Sequence, residues 1–242
     1  MAQAAAQGHR VVLVTATGGE HGEVAEGFLR PGEALGERRA RELAEAARIL
    51  GVARVESLGY IDSGMMGRPE NEAPNSFWTT DVESAAARVA ELLMEEGADV
   101  FTLYDANGTY GHPDHIQVHR VGVRAAQLAG VTRVYESVAN RDEIRRGFAA
   151  MREAEVDFAI PELEGSDLGV PEGTITTAID VSDFLSIKRS AMAAHASQIA
   201  ETSFFLAMPP DMFAQAFGTE WYIRRGRAPG GPFERSLFDD LA

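Results

Sequence analysis

Tyr110, His112, Asp114 and His115 fall within six residues of one another, and His119 follows four residues later. Three of the chain's six histidines therefore lie between positions 112 and 119. Imidazoles can hold a metal ion, donate to a developing oxyanion or move a proton, and a neighbouring phenol and carboxylate add a donor and a tuning charge. The full stretch is Tyr104-Asp-Ala-Asn-Gly-Thr-Tyr110-Gly-His112-Pro-Asp114-His115, directly after the apolar run Val-Phe-Thr-Leu at 100–103. Pro113 suits the first turn of a helix, so a strand should give way to a helix here. A helix N-terminus carries unpaired N–H groups and favours anions and developing oxyanions. His115 and His119 share one helical face, a spacing that occurs in zinc sites. Zinc needs three protein ligands and an open position, and this segment does not supply them all. His112 precedes a proline and is biased out of the helix, so it could face a substrate while His115 faces a metal. The competing reading is that the histidines only cap and pack a helix, and for His119 packing is the preferred reading. His9 and His21 belong to no constellation.

The elements that would position this stretch follow from hydrophobic periodicity. Residues 1–10 read as the last two turns of a helix capped at Gly8. Residues 11–14 form a short β-branched strand, followed by the glycine-rich loop Thr15-Ala-Thr-Gly-Gly-Glu-His-Gly-Glu23. No P-loop or dinucleotide fingerprint fits that loop, and its two glutamates oppose an anion, so a tight turn is preferred to a phosphate cradle. Residues 33–50 predict an amphipathic helix with Leu35, Ala40, Leu43, Ala47 and Leu50 inward. Arg38, Arg39 and Arg41 read most simply as solvated partners of nearby glutamates. Residues 52–58 predict a strand, and 62–75 a long irregular loop whose Met65 and Met66 either cover a pocket or pack on the body. A helix at 81–96, a strand at 99–103, the histidine-bearing helix from Pro113 to Gly130 and a strand at 131–138 complete a βαβ alternation. Beyond it, 140–155 predicts a charged helix, 165–173 turns, 174–180 a strand, 181–198 a helix and 217–224 a last strand. The fold class is α/β, a Rossmann-like, mostly parallel sheet with helices on both faces, in one domain over residues 1–242.

Composition narrows the function. The net charge is −15, from 22 Lys plus Arg against 37 Asp plus Glu, which opposes partnership with nucleic acid or an anionic membrane. There is no cysteine, so any metal must be held by histidine and carboxylate, a donor set that suits zinc or iron(II). No run approaches the ~20 apolar residues of a membrane span, and the N-terminus does not read as a signal peptide. These features suit a cytoplasmic protein, with homo-oligomerisation left open.

The stretch from Tyr104 to His115 resembles the second signature of the PIG-L/LmbE-like zinc-dependent de-N-acetylases, and most of all their actinobacterial branch in mycothiol metabolism. The resemblance covers most of the chain. The loop at 15–23 is similar to that family's Thr-x-x-x-Gly-Glu-x-Gly-Glu, Asp62-Ser-Gly-Met65 to its Asp-Ser-Gly-Met segment, and Lys188 through His195-Ala-Ser-Gln198 to its late Lys…His-x-Ser/Thr-Gln helix. The resemblance implies hydrolysis of an N-acetyl group from an N-acetylglucosaminyl conjugate, a small-molecule amino-sugar substrate. It implies His115 as a zinc ligand, His112 as oxyanion stabiliser or general acid, Asp114 as its tuning group and Tyr110 as a polariser of the carbonyl. Arg39 and Asp62 match positions that contact the sugar or polyol. Zinc would polarise the amide and activate its water, a carboxylate would take the proton, and the oxyanion would lie between zinc and an imidazolium.

The family's first signature, His-Pro-Asp-Asp-Glu, supplies two metal ligands and the base, and it is absent from these 242 residues. The expectation is accordingly a chain truncated at its N-terminus and lacking its first strand, with a relative that has lost its metal site as the alternative. Weak zinc binding and little hydrolysis are expected, with Glu20, Glu23 and His119 the first candidates for replacement ligands. Two other functions stay open, an amidase acting on a mycothiol-type conjugate and a non-catalytic carbohydrate-binding relative. A nucleotide-binding protein is disfavoured by the lack of a phosphate loop.

Overall fold

A computed structural model describes residues 1–153, 168–200, 202–239 and 241. Along the chain these form α1 (Ala2–Ala6), β1 (Val12–Thr17), α2 (Leu35–Ile49), β2 (Arg54–Tyr60), α3 (Val82–Glu95), β3 (Val100–Tyr104), the single turn α4 (Gly108–Gly111), α5 (Pro113–Ala129), β4 (Arg133–Val138), α6 (Arg141–Glu153), β5 (Thr177–Asp180), α7 (Leu185–Ala194), α8 (Phe204–Ala207), α9 (Pro210–Phe217) and β6 (Thr219–Arg224). They divide into two compact units, each assembled from two separate stretches: Met1–Thr79 with Val181–Ala214, and Thr80–Asp180 with Gln215–Ala242.

In the first unit β1 and β2 pair in parallel, Val12 opposite Arg54 and Thr15 opposite Ser57. The intervening α2 packs against α7. Its buried residues are Glu42, Ala46 and Ala47, while Ala40, expected inward, is exposed. The helix starts without a side-chain cap at Ala34. Glu33 instead ties the entry together, accepting from the Arg30 backbone N–H at 2.9 Å and from Arg38 at 2.8 Å, and pairing with Arg41 as well. Residues 61–76 are irregular but internally bonded. Buried Asn71 accepts from Gly67 N and donates to Ser63 O, and Ser63 Oγ accepts from Trp78 N. Met65 and Met66 stand about half exposed, so they are not packed into the body.

In the second unit α3 is capped by Asp81, which accepts from Ser84 N at 2.8 Å. Its apolar face, Ala85, Ala86, Val89, Ala90 and Leu93, is buried, and α3 packs along α5. Gly122 lets α5 lie close to β3, since a Cβ there would stand 3.3 Å from the Phe101 ring. Leu103, Ala126 and Val134 form the core beneath, with Phe101, Val118, Val123 and Val131 packed on it. The strand order is β3-β4-β6-β5. β3 and β4 are parallel, whereas β6 runs antiparallel to both β4 and β5.

The α/β alternation is as expected, and two of its three βαβ crossovers, through α2 and α5, give parallel pairs. The differences lie mainly at the C-terminal end. The ladders form two sheets, one in each unit, and β5 and β6 add antiparallel pairs to an expectation of mostly parallel ones. Side-chain alternation marks a strand without stating its direction, which depends on how the chain returns. β5 begins at Thr177 because residues 172–174 close a 3-10 turn. The helix expected at 181–198 is a 3-10 turn at 182–184 followed by α7, which stops at Ala194. α9 was not anticipated. Its signals are Pro210 and Asp211 at the start, with Phe213 and Phe217 one turn apart. Positions 154–155 of the expected charged helix and 165–167 of the expected turns lie outside the described residues. No helix among those described is long and apolar enough to cross a membrane.

Candidate active site

The histidine stretch lies wholly in the second unit, where β3 hands over to α5. Buried Asp105 organises the turn. Its carbonyl accepts from Gly108 N at 2.9 Å and its Oδ1 from Thr109 N at 2.7 Å. Gly108 sits at φ +60, and a Cβ there would stand 2.7 Å from His115 Cβ and 2.8 Å from Ile116 N. Only glycine fits so close to the helix start. Thr109 follows at φ 67, a left-handed conformation that a β-branched residue adopts only under constraint. Its cost is on the order of 1–3 kcal/mol, and the Asp105 bond offsets part of it. His112 is extended (φ −66, ψ 129) and Pro113 occupies the first helical turn, as the sequence dictates.

Four aromatic rings gather at this point. Tyr104 stacks face to face on His115, with centroids 4.0 Å apart and planes 5° from parallel. Tyr110 meets His115 edge-on at 5.1 Å and His112 at 6.1 Å. His112 and His115 lie 5.0 Å apart. Burial raises the Tyr104 phenol above its ordinary pKa, and Tyr110 adds to that. Tyr110 is half exposed and Asp114 is buried.

The hydrogen bonds give the two histidines opposite tautomers. His112 Nδ1 accepts from the backbone N–H of Asp114 at 3.1 Å, acting as the helix N-cap. Its ring proton is therefore on Nε2, which is a donor. His115 Nδ1 lies 3.2 Å from Gly108 O. A carbonyl only accepts, so Nδ1 of His115 carries the proton and Nε2 is the lone-pair nitrogen. One ring thus presents an N–H and its neighbour a lone pair. Asp114 reaches His112 through its backbone N–H. His119 Nδ1 bonds to Tyr104 O at 3.0 Å and lies 3.8 Å from Glu136 Oε1.

Arg39 and Asp62 lie in the first unit, and both contact the glycine-rich loop. Arg39 donates to Gly19 O at 2.6 Å and to Glu23 O at 3.3 Å. Its Nε is buried without a hydrogen-bond partner. A Cβ on Gly19 or Gly22 would stand 2.4 or 2.2 Å from Arg39 Nη1, so these glycines admit a guanidinium. Arg38 and Arg41 do pair with Glu33, but Arg39 turns to the loop carbonyls. Asp62 is buried, accepting from Gly64 N at 2.8 Å and His21 N at 3.2 Å, and its own N–H donates to Glu20 Oε2 at 3.1 Å.

A further polar contact in this unit escaped the sequence reading. Buried Glu42 accepts from Ser197 N at 3.0 Å and Ser197 Oγ at 2.6 Å. The His195-Ala-Ser-Gln198 motif is therefore a turn after α7, pinned to α2, and not part of a helix. Burial lowers the His195 pKa, partly opposed by Glu42 and reinforced by Arg39. Position 42 is seven residues beyond Leu35 and four before Ala46, on the helix's inner stripe, and that spacing was the available signal.

Glu20 is bonded to Asp62 and His119 to Tyr104, so these two replacement-ligand candidates have other partners. No group of three or more His, Cys, Asp or Glu side chains among the described residues could hold a metal ion. His115 offers one suitable nitrogen, and these residues do not complete a metal site.

The α/β fold thus places an N–H imidazole, His112, beside a lone-pair imidazole, His115, where β3 gives way to α5. The family model for the PIG-L, GlcNAc-PI de-N-acetylases matches residues 1–126. The chain is 42% identical over 255 residues to the 1D-myo-inositol 2-acetamido-2-deoxy-alpha-D-glucopyranoside deacetylase of Acidothermus cellulolyticus, covering 98% of this chain and 87% of that one. It is 38% identical over 268 residues to the protein of that name from Thermomonospora curvata, covering 100% and 90%. Two solved structures show the fold. The conserved protein TT1542 from Thermus thermophilus aligns at a TM-score of 0.56 and 20% identity, covering 97% of this chain and 90% of that one. The zinc-inhibited form of teicoplanin deacetylase Orf2 aligns at 0.56 and 18%, covering 94% and 92%. The chain belongs to the PIG-L family of de-N-acetylases, hydrolytic enzymes that generally depend on a metal ion.

Proposed function

We propose that this chain removes the N-acetyl group of an N-acetylglucosaminyl-inositol conjugate, the substrate class in the names of its relatives. The observation that carries the reading is the pair of opposite tautomers at His112 and His115. Water adds to the acetyl carbonyl, the tetrahedral oxyanion collapses, and acetate and the free amino sugar leave. His112 donates from Nε2 to the oxyanion. Its cap bond from Asp114 N occupies the Nδ1 lone pair and leaves Nε2–H as the donor. Tyr110, half exposed beside both rings, polarises the same carbonyl. Asp114 sets the His112 tautomer through its main chain. Arg39 and Asp62 contact the sugar or polyol, a role that the buried, unpartnered Nε of Arg39 favours.

We assign His115 as one metal ligand through Nε2, with zinc the preferred ion and iron(II) suited to the same donor chemistry. Among the described residues His115 is the one ligand assigned to the ion, where zinc needs three. A cytoplasmic location suits the cysteine-free composition, and the small-molecule partner is the amino-sugar conjugate in the relatives' names.

The test is acetate release from an N-acetylglucosaminyl-inositol conjugate by the full chain. The expected result is release that falls by roughly 10²–10³-fold in His112→Ala, the usual loss for one oxyanion donor. The missing three-ligand cluster among the described residues favours the carbohydrate-binding relative as the second reading. Calorimetric binding of the conjugate by the wild type without any release would establish that reading instead.

A further inference from the structure

We propose that His119 is a positioning residue, holding the Tyr104 ring against the imidazole of His115. The proposal rests on the reading of His115 as a working residue of the site. His119 Nδ1 donates to the carbonyl of Tyr104 at 3.0 Å, and Tyr104 is the last residue of β3. The Tyr104 ring in turn covers one face of His115 at 4.0 Å, with planes 5° apart. The His115 ring therefore has two restraints of different kinds. The Nδ1 bond to Gly108 O sets its rotation within the plane, and the stack sets the plane itself. His119 fixes the main chain from which the stacking ring projects.

A carboxylate of the neighbouring strand stands close to the His119 ring. Glu136 of β4 is buried, and its Oε1 lies 3.8 Å from His119 Nδ1. Arg225 donates to the same carboxylate oxygen. A chain of contacts thus runs from Arg225 through Glu136, His119 and Tyr104 to His115, all in the second unit. Packing alone does not require it. Val118 and Val123, on the same helix, supply the apolar contact with β3 and β4. A histidine at 119 instead directs its donor at the final carbonyl of the strand that carries the stacking ring. Partners that orient a working imidazole in this way tune its basicity and geometry.

The test uses the full chain with ¹⁵N-labelled histidine, metal-free, read by long-range ¹H–¹⁵N ring spectra. His115 should appear as the Nδ1–H tautomer in the wild type and in His119→Asn, whose amide can place an N–H near the position of Nδ1. In His119→Phe it should become a mixture of tautomers, while His112 keeps its Nε2–H signature. An unchanged His115 signature in folded His119→Phe overturns the proposal. Should His119→Phe fail to fold by circular dichroism, Tyr104→Leu against Tyr104→Phe decides, since only the leucine removes the stack. His115→Ala keeps the two readings apart. If it leaves acetate release unchanged, the reading of His115 as a working residue fails, while the ring spectra still judge the positioning role.

Discussion

Gly108 and Glu33 show how single residues set local geometry here. Gly108→Ala combines a left-handed backbone with a Cβ driven into His115 and Ile116. It should destabilise the chain by at least roughly 1–2 kcal/mol in urea denaturation and should disturb the His115 ring. A wild-type midpoint for that variant would mean the turn can rearrange. Glu33 is drawn down to about 2 from an ordinary 4.5, chiefly by its bond from Arg38 and then by the Arg30 N–H. A carboxylate depressed on folding contributes stability above the unfolded value and loses it as pH falls. The gap in denaturation midpoint between wild type and Glu33→Gln should therefore be widest above about pH 4.5 and close by about pH 2. At this scale the sequence announced His112, Asp114, His115 and Tyr110, because four chemically capable side chains lay together. It hid Glu42, because a charged residue on an amphipathic helix reads as solvent-facing until its bonding partner 155 positions away is known.

Helix ends carry the next level. Buried Asn140 accepts through Oδ1 from the backbone N–H groups of Asp142 and Glu143, and donates to Glu172. Arg146 reaches that same glutamate, so the entry to α6 is tied to the turn at 172. Asn140→Ala should cost roughly 1–2 kcal/mol, the range for a lost helix cap, read as a lower Tm with α6 amides exchanging faster. No change in either would mean that water replaces the cap without loss. Helices with a polar cap or a glycine stop, such as α3 and α5, were legible to within a residue or two. α7 was overrun because nothing in Ala194-His195-Ala-Ser197 announces a stop; the stop comes from Ser197 turning to Glu42. α9 was missed because its eight residues were too few for periodicity to stand out.

At the scale of the whole molecule, the βαβ order made the α/β class and both parallel pairs readable. The division into two units, each stitched from distant stretches, was not readable, since it depends on where the chain goes after β5. β6 is the keystone of the second unit, lying between β4 and β5. Tyr222 is buried there, meeting Tyr135 edge-on at 6.3 Å and donating to Glu220. Tyr222→Ala should cost about 3 kcal/mol or more, and amides of β4 and β5 should lose hydrogen-exchange protection together. Loss confined to one of them would show that the strands are not joined through β6.

The placement of β6 also bears on how the protein is made. About 80 residues separate the end of β4 at Val138 from the start of β6 at Thr219. At about 5–20 residues per second of synthesis, the β4 edge that β6 will cover waits on the order of 4–16 s for its partner. For that interval the nascent chain presents an open strand edge, the kind of surface that pairs with the wrong neighbour. A holding chaperone on the ribosome would have most effect on yield in that window.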